Sequence, residues 1–573
     1  MANYFSDNKD LQFIFDNLDL EESVTIKENY YKYAKDFDHA PVNYADAVDN
    51  YNRVLKVVGQ ICAENIELRA RTVDQEGPDF KDGKVTYHPL TQKNLKDLTD
   101  AGVMGVMLPH QYGGLNFPNT IYTMMTEMVS RADASLQNLF GLQDIAETIC
   151  DFGSEEQKAA FLPRFACGEA DGAMDLTEPD SGSDLQSVRL RAWQDKNGQW
   201  YLNGMKRFIT NGCAKVHLVL ARSEDGSSDG RGLSMFICEA GPKLVVRRIE
   251  DKLGIHGVAT CELQYNDVPA QLCGQRRRGL TKYVMSLMNG ARVAISAQAL
   301  GIAEAAFREA RKYAGEREQF KKAIDQFPAV YDMLTSMKVR VQAARTLLYA
   351  TTRVVDLRSV YCNLMETLPA DKITPEIREK EKYYVKLAAL LTPLSKALST
   401  EVANSVSYDC IQIHGGTGFM RDFNAERFYR DARITNIYEG TTQLQVVAAI
   451  GGVIQRVIEP ELEKLSKLPY TGKLLRLKNK LDEMLVLQRK AVQYIVDKKD
   501  TEYHDQMARR MVEVETYIFV GYLMLKQALN CDEREALVER YINDAYIDAK
   551  AKIEAVTAGD MSTIDKHRDI IDY

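Results

Sequence analysis

Trp200-Tyr201-Leu202-Asn203-Gly204-Met205-Lys206-Arg207-Phe208-Ile209-Thr210 interrupts a chain whose apolar spacing is otherwise helical. Trp200-Tyr201-Leu202 and Phe208-Ile209-Thr210 are aromatic and β-branched runs on either side of Asn203-Gly204. That dipeptide favours a two-residue turn with positive φ, so the stretch predicts a β-hairpin. Outward from it, residues 216–221, 233–238, 244–249 and 260–265 are further short strands, bounded by Gly, Asp and Pro. The β pattern starts near Asp171. Together these runs predict a small all-β unit of six to eight strands.

Both flanks read as helices. Val54, Val57, Val58 and Ile61 share one helical face, and Leu95, Leu98 and Ala101 precede a stop at Gly102. Asp151-Phe152-Gly153-Ser154 ends one helix, and Ser154-Glu155-Glu156-Gln157 is a capping box that opens the next. Beyond Gly279 long amphipathic segments run near 280–315, 329–357 and 382–408, with the charged stretch Pro369–Lys382 expected as a solvated insertion or turn. The expected fold class is mainly α with a central β-barrel insert. Its expected parts are an N-terminal arm (1–50), a helical domain (51–170), the β-barrel (171–277), a helical bundle (278–455) and an additional helical domain (456–573).

The chain has 573 residues, enough for roughly four structural units. Lys+Arg 73 against Asp+Glu 81 leaves a net charge of −8, without polycationic tails, which disfavours electrostatic capture of nucleic acid. The ten cysteines occur singly, with no Cys-x-x-Cys pair, so neither a zinc knuckle nor a dithiol motif is signalled. Buried thiols in a reducing compartment, no signal peptide and no membrane span make a cytoplasmic location the expectation.

Four stretches carry possible chemistry. Leu176-Thr177-Glu178-Pro179-Asp180-Ser181-Gly182-Ser183 gathers hydroxyls and free N–H groups fit for a polar ring edge or a phosphate, and is equally an ordinary surface turn. Lys206-Arg207-Phe208-Ile209-Thr210 sets an aromatic beside a hydroxyl, fit for a flat heterocycle or for a half-buried strand. Gln412-Ile413-His414-Gly415-Gly416 ends a long helix and does not follow a strand, against a Rossmann site. His414 reads as a structural histidine, and no metal is expected. In Tyr438-Glu439-Gly440-Thr441-Thr442-Gln443 a carboxylate lies among apolar neighbours, where desolvation favours a proton acceptor; a helix-entry Glu is the plainer alternative.

In this order around a β insert, the four motifs resemble the acyl-CoA dehydrogenase family of flavoproteins, over about Val54 to Gly451. Lys252-Leu253-Gly254-Ile255-His256-Gly257, Met288-Asn289-Gly290-Ala291-Arg292 and Arg317-Glu318-Gln319-Phe320 extend the match. The chain looks most like the larger bacterial members with an added C-terminal helical domain, the group that includes the methylmercaptopropionyl-CoA dehydrogenases. The resemblance implies a helical domain, a β-barrel and a four-helix bundle around FAD. Leu176, Thr177, Ser183, Phe208 and Thr210 would line the flavin, Phe208 in place of a usual Trp. Arg317, Gln319 and Phe320, with Gln412, Gly415 and Gly416, would reach the FAD of a neighbouring subunit, while Thr441 and Gln443 would meet the adenine-nucleotide half of the FAD. Ser183, Asn289, Arg292, Tyr438 and Gly440 would contact the acyl-CoA. Glu439 would be the base that removes the α-proton while the β-hydride passes to FAD N5, giving trans-2-enoyl-CoA. Electrons would leave to an electron-transferring flavoprotein, and the protein would work as a homodimer or homotetramer.

Besides Phe208, three further departures qualify the resemblance. Ala291 stands where some relatives carry an alternative base, Lys321 replaces a common Gly, and Phe327-Pro328 replaces a pair that usually includes a Gln touching FAD. Two rival functions share the fold: an acyl-CoA oxidase that passes electrons to oxygen, and a flavin-bound relative that serves stress or nucleic-acid binding without turnover. The acidic balance and a retained Glu439 weigh against the second.

Overall fold

The computed structural model describes residues Ala2–Tyr573, with the backbone alone at Asn289. The chain divides into two compact units, Met1–Ala306 with Gly415–Thr435, and Phe307–His414 with Asn436–Tyr573. Most described residues are helical, and among them no helix is long and apolar enough to cross a membrane.

The first unit holds the barrel. Seven strands form one sheet, in the order 172–175, 216–222, 191–194, 200–210, 260–273, 233–239, with 244–249 added on 260–273. The 216–222 strand also pairs antiparallel with 233–239, from Val216↔Glu239 to Arg222↔Leu233, and this closes the sheet. Closure leaves few open strand edges and a filled interior. Leu202, Ile209, Val219, Phe236, Cys261, Leu263 and Tyr265 fill it. The outward residues Leu218, Leu220, Met235 and Ile237 pack against Ile149, Phe161, Leu162 and Phe165 of the helices.

Asn203-Gly204 is not a hairpin turn. Trp200–Thr210 is one continuous strand, paired antiparallel along its length with 260–273. Gly204 lies at φ +141°, and a Cβ there would come within 3.1 Å of Leu190 Cα, so its glycine serves strand packing against Leu190. The stretch Pro369–Lys382 is also only partly a turn, because the helix Pro375–His414 begins inside it. The capping box at Ser154 forms with both its hydrogen bonds.

The N-terminal segment packs on the first unit's helices. Tyr4 N–H donates to Gly59 O at 3.0 Å, and the Arg131 guanidinium lies 3.5 Å from the centroid of the buried Tyr4 ring. A Cβ on Gly59 would fall 2.8 Å from Phe5 N, so only glycine admits this approach. Further along, Glu28 pairs with His110 at 3.0 Å, both side chains 2 % exposed.

In the second unit Pro328–Thr367 packs along Pro375–His414, and Thr442–Ile454 packs on both Pro375–His414 and Thr501–Asn530. The C-terminal helices Gly472–Lys498, Thr501–Asn530 and Glu535–Thr557 share one apolar core with them, through Leu481, Met511, Ile518 and Val538. Glu515 is buried in that core and accepts a hydrogen bond from Gln488 Nε2 at 2.8 Å. Burial, reinforced by the Glu459 charge, pushes its pKa up to about 8. The folded state therefore holds a proton that the unfolded chain releases above its ordinary carboxyl pKa. Stability is fully present below that value and falls as pH rises to about 8, by roughly 1.4 kcal/mol per pH unit. Glu515→Gln keeps the hydrogen-bonding capacity and removes the titration. Its thermal midpoint, followed by circular dichroism between pH 6 and pH 8, is expected to fall less with pH than that of the wild type. Parallel slopes would refute this account.

Candidate active site

In the first unit the fold joins two motifs that lie about thirty residues apart in sequence. Arg207 N–H donates to Thr177 O at 2.9 Å, and Lys206 Nζ donates to Leu176 O at 2.9 Å and to Glu178 Oε1 at 3.0 Å. Glu178 also accepts from the backbone N–H groups of Arg189, at 2.7 Å, and Leu190, at 2.9 Å. Lys206 is 0 % exposed, and burial lowers its pKa. A buried ion pair with this many hydrogen bonds fixes the geometry of the 176–178 segment more than it adds net stability. Reading the sequence gave neither residue of this pair a role. The available signal is a Lys at an inward position of a strand.

Between Lys206↔Leu263 and Ile209↔Cys261 the register shifts, so Arg207 and Phe208 face the single residue Glu262. This bulge re-aims one side chain. Phe208 sits at φ +59° and keeps 54 % of its surface exposed, with the Arg207 guanidinium 4.6 Å from its ring centroid. A bulky aromatic in left-handed backbone is a strained conformation, and this one is also open to solvent. Thr210, half-buried, pairs with Thr260, and Thr177 is half-buried on the neighbouring segment. Leu176 is buried and Ser183 is exposed in the turn that follows it. Beneath this edge Asp175 accepts from His217 Nδ1 at 2.9 Å and from the Tyr265 hydroxyl, all three buried. Arg292 is 9 % exposed on the helix Met285–Glu316, which also carries Asn289 in its backbone.

In the second unit Glu439 lies at φ +52° and Gly440 at φ +88°, just before the helix Thr442–Ile454. Thr441 caps that helix, its Oγ1 accepting from Leu444 N–H at 3.3 Å. Lys396 Nζ, with the side chain fully buried on Pro375–His414, donates to Tyr438 O at 2.9 Å and to Gly440 O at 2.6 Å. The carbonyls on both sides of Glu439 are thus held by one ammonium. Gln445 Nε2 adds a bond to Gly440 O at 2.9 Å, and a Cβ on Gly440 would lie 2.7 Å from that nitrogen. Glu401 completes the support by accepting from Thr442 Oγ1 at 2.8 Å. Lys396, Gln445 and Glu401 escaped the sequence reading. A lysine inside the apolar run Leu390-Leu391-Thr392-Pro393-Leu394-Ser395-Lys396 was the signal for the first.

Arg317, Gln319 and Phe320 belong to a tight hairpin, 318–319 paired with 322–323, whose two turn residues Phe320 and Lys321 lie at φ +51° and +68°. The second value shows why glycine suits position 321. Phe320 is 87 % exposed. Gln412 and Gln443 are exposed, as are Gly415, at φ +62° after the helix end, and Gly416, where a Cβ would meet nothing. His414 stacks on Tyr313 with centroids 4.2 Å apart, and its Nδ1 hydrogen-bonds to Cys410 O at 2.8 Å, a packed position. Among the described residues no group of three potential ligands could hold a metal.

Comparison with known proteins places these motifs in a common frame. Residues 49–169 match the N-terminal domain of the acyl-CoA dehydrogenases, 173–268 their middle domain, 293–443 their C-terminal domain and 458–561 the further segment described as acyl-CoA dehydrogenase C terminal. The 3-methylmercaptopropionyl-CoA dehydrogenase of Ruegeria pomeroyi is 32 % identical over 442 residues, 71 % of each chain. Butyryl-CoA dehydrogenase from Megasphaera elsdenii is similar in structure, with a TM-score of 0.60 and 29 % identity over 70 % of this chain and 98 % of that one. The acyl-CoA dehydrogenase from Bacillus anthracis, solved with FAD, shares the fold over 89 % of this chain and 88 % of its own, with a TM-score of 0.76 at 23 % identity. The strained Phe208 and Glu439, the barrel between helices and the extra C-terminal helices all lie inside segments matched this way, and the chain belongs to the acyl-CoA dehydrogenase family.

Proposed function

We propose that this chain dehydrogenates an acyl-CoA thioester to the trans-2-enoyl-CoA, with FAD as cofactor and Glu439 as the base. The observation that carries the reading is the Glu439 turn: a carboxylate on left-handed backbone, its flanking carbonyls fixed by the buried Lys396 ammonium. The residues present fit a flavin, since an exposed aromatic on a bulge stands with Thr177 and Thr210, matching a flat ring with polar edges. Leu176, Thr177, Ser183, Phe208 and Thr210 would hold the flavin ring; Thr441 and Gln443 would hold the nucleotide half. Bound there, FAD supplies a two-electron acceptor for the hydride leaving the β-carbon. Glu439 takes the α-proton onto its carboxylate. An α-proton of a thioester is a weak acid, so the developing charge on the thioester oxygen needs a donor, and the Glu439 N–H supplies one. Lys396 and Gln445 keep that N–H and the carboxylate in fixed relation. Arg292, Asn289, Ser183, Tyr438 and Gly440 would contact the acyl-CoA.

Electrons then pass to an electron-transferring flavoprotein. The exposed Phe320 hairpin, with Arg317 and Gln319, and the open Gly415-Gly416 turn with Gln412 serve the FAD of a second subunit, so the working form is a homodimer or homotetramer. Arg317→Ala is expected to weaken FAD binding about tenfold or more, the loss of one charged hydrogen bond, measured by flavin release on dilution. Unchanged retention would remove Arg317 from the site.

The reading is tested by incubating the flavin-loaded protein with a panel of acyl-CoAs and a dye acceptor under nitrogen, then identifying products by mass spectrometry. Loss of two hydrogens from one class of acyl-CoA supports it. No enoyl product from any member contradicts it, and rapid oxygen uptake in air without dye would mark an oxidase.

A further inference from the structure

The cysteines that stand singly in the sequence do not all stay single in the fold. Cys261 is fully buried on the 260–273 strand, with Ile209 as its cross-strand partner. Immediately after Thr210 the chain turns: Gly212 N–H donates to Ile209 O at 3.2 Å, Asn211 N–H to Ala259 O at 2.8 Å and Ala214 N–H to Asn211 O at 2.8 Å. This folds the turn back over Cys261. A Cβ on Gly212 would lie 2.6 Å from Cys261 Cβ and 3.2 Å from its Sγ, so the bare glycine lets the Cys261 side chain reach the turn. The next residue is Cys213, half-buried, so the turn brings a second thiol beside the Cys261 side chain that Gly212 already touches. Asn211 Oδ1 accepts from Cys213 Sγ at 3.6 Å and from the Tyr87 hydroxyl at 2.8 Å, which fixes the turn.

We propose that Cys213 and Cys261 are a reversible disulfide site, formed by peroxide, that staples the end of the Trp200–Thr210 strand to its neighbour. The two thiols differ as an attacking and a resolving pair should. The neighbouring Cys261 thiol, as a donor, favours the Cys213 thiolate and lowers its pKa, and the same neighbour together with burial raises that of Cys261. In the first step the Cys213 thiolate attacks hydrogen peroxide: an S–O bond forms, the O–O bond breaks, sulfur is oxidised by two electrons, and hydroxide leaves to take up a proton as water. In the second the Cys261 sulfur, giving up its proton, attacks the sulfenic sulfur; the S–S bond forms, the S–O bond breaks and water departs. A dithiol such as dithiothreitol reverses the bond by exchange. With Gly212 packed directly on Cys261, its neighbour Cys213 needs little backbone movement to reach disulfide geometry.

The test treats the folded, flavin-loaded full chain with hydrogen peroxide, alkylates remaining thiols and maps peptides by mass spectrometry. The expected result is a peptide cross-linked through Cys213 and Cys261, absent without peroxide, reversed by dithiothreitol and lost in Cys213→Ser. In Cys261→Ala the oxidation of Cys213 should halt at the sulfenic acid, trapped by dimedone. Cys213 found as sulfinic or sulfonic acid in the wild type with Cys261 still alkylated, or both thiols alkylated as before treatment, would overturn the proposal.

Discussion

Glu439→Gln is expected to lower kcat by about a thousandfold while the protein keeps its FAD absorbance. The amide matches the carboxylate in size and cannot accept the α-proton, and general-base catalysis contributes ~10²–10⁴-fold. The turn itself should survive, because its backbone is set by Lys396, Gln445 and the Thr441 cap, none of which needs the carboxylate. The position just before Arg292, where the resemblance allows an alternative base, is Ala291. Steady-state assay with the best acyl-CoA of the panel measures the loss. A variant within a few-fold of wild type would move the base elsewhere.

Lys396→Met should have the second largest effect. The methionine fills the space of the lysine stem but leaves Tyr438 O without its donor and Gly440 O with Gln445 alone. Charged hydrogen bonds of this kind are worth ~1.5–3 kcal/mol each, and the positive φ at Glu439 stores strain that they oppose. The turn then relaxes, and misplacing a reacting group by about 1 Å can lower a rate ~10²-fold. The expected outcome is a hundredfold fall in kcat with KM changed much less, since the residue touches no substrate. Circular dichroism and flavin absorbance separate this from unfolding. A KM rise with kcat intact would show Lys396 acting on binding instead of on the Glu439 turn.

The sequence disclosed the order of elements because that order is written in local periodicity. The 216–222, 233–239 and 244–249 strands show as short apolar runs between Gly, Asp and Pro, and the helical flanks as spaced Val and Leu. Asn203-Gly204 misled because the same dipeptide serves a tight turn and a close approach of two chain segments, and only Leu190, in the segment leading into the 191–194 strand, decides between them. Phe208, Phe320 and Glu439 were picked out as residues, yet nothing local tells that all three sit at positive φ. The bulge under Phe208 depends on the register with 260–273, a long-range property. Lys206, Lys396 and the closeness of Cys213 to Cys261 were hidden for the same reason: each gains its meaning from a partner 28 or more residues away.

The central claim is that Glu439 starts the oxidation of an acyl-CoA. The most direct test is anaerobic single-turnover mixing of acyl-CoA with the flavin-loaded wild type and with Glu439→Gln, following flavin absorbance near ~450 nm. Rapid bleaching is expected in the wild type and almost none in the variant, with equal flavin content in both. Bleaching at the same rate in both proteins would contradict it.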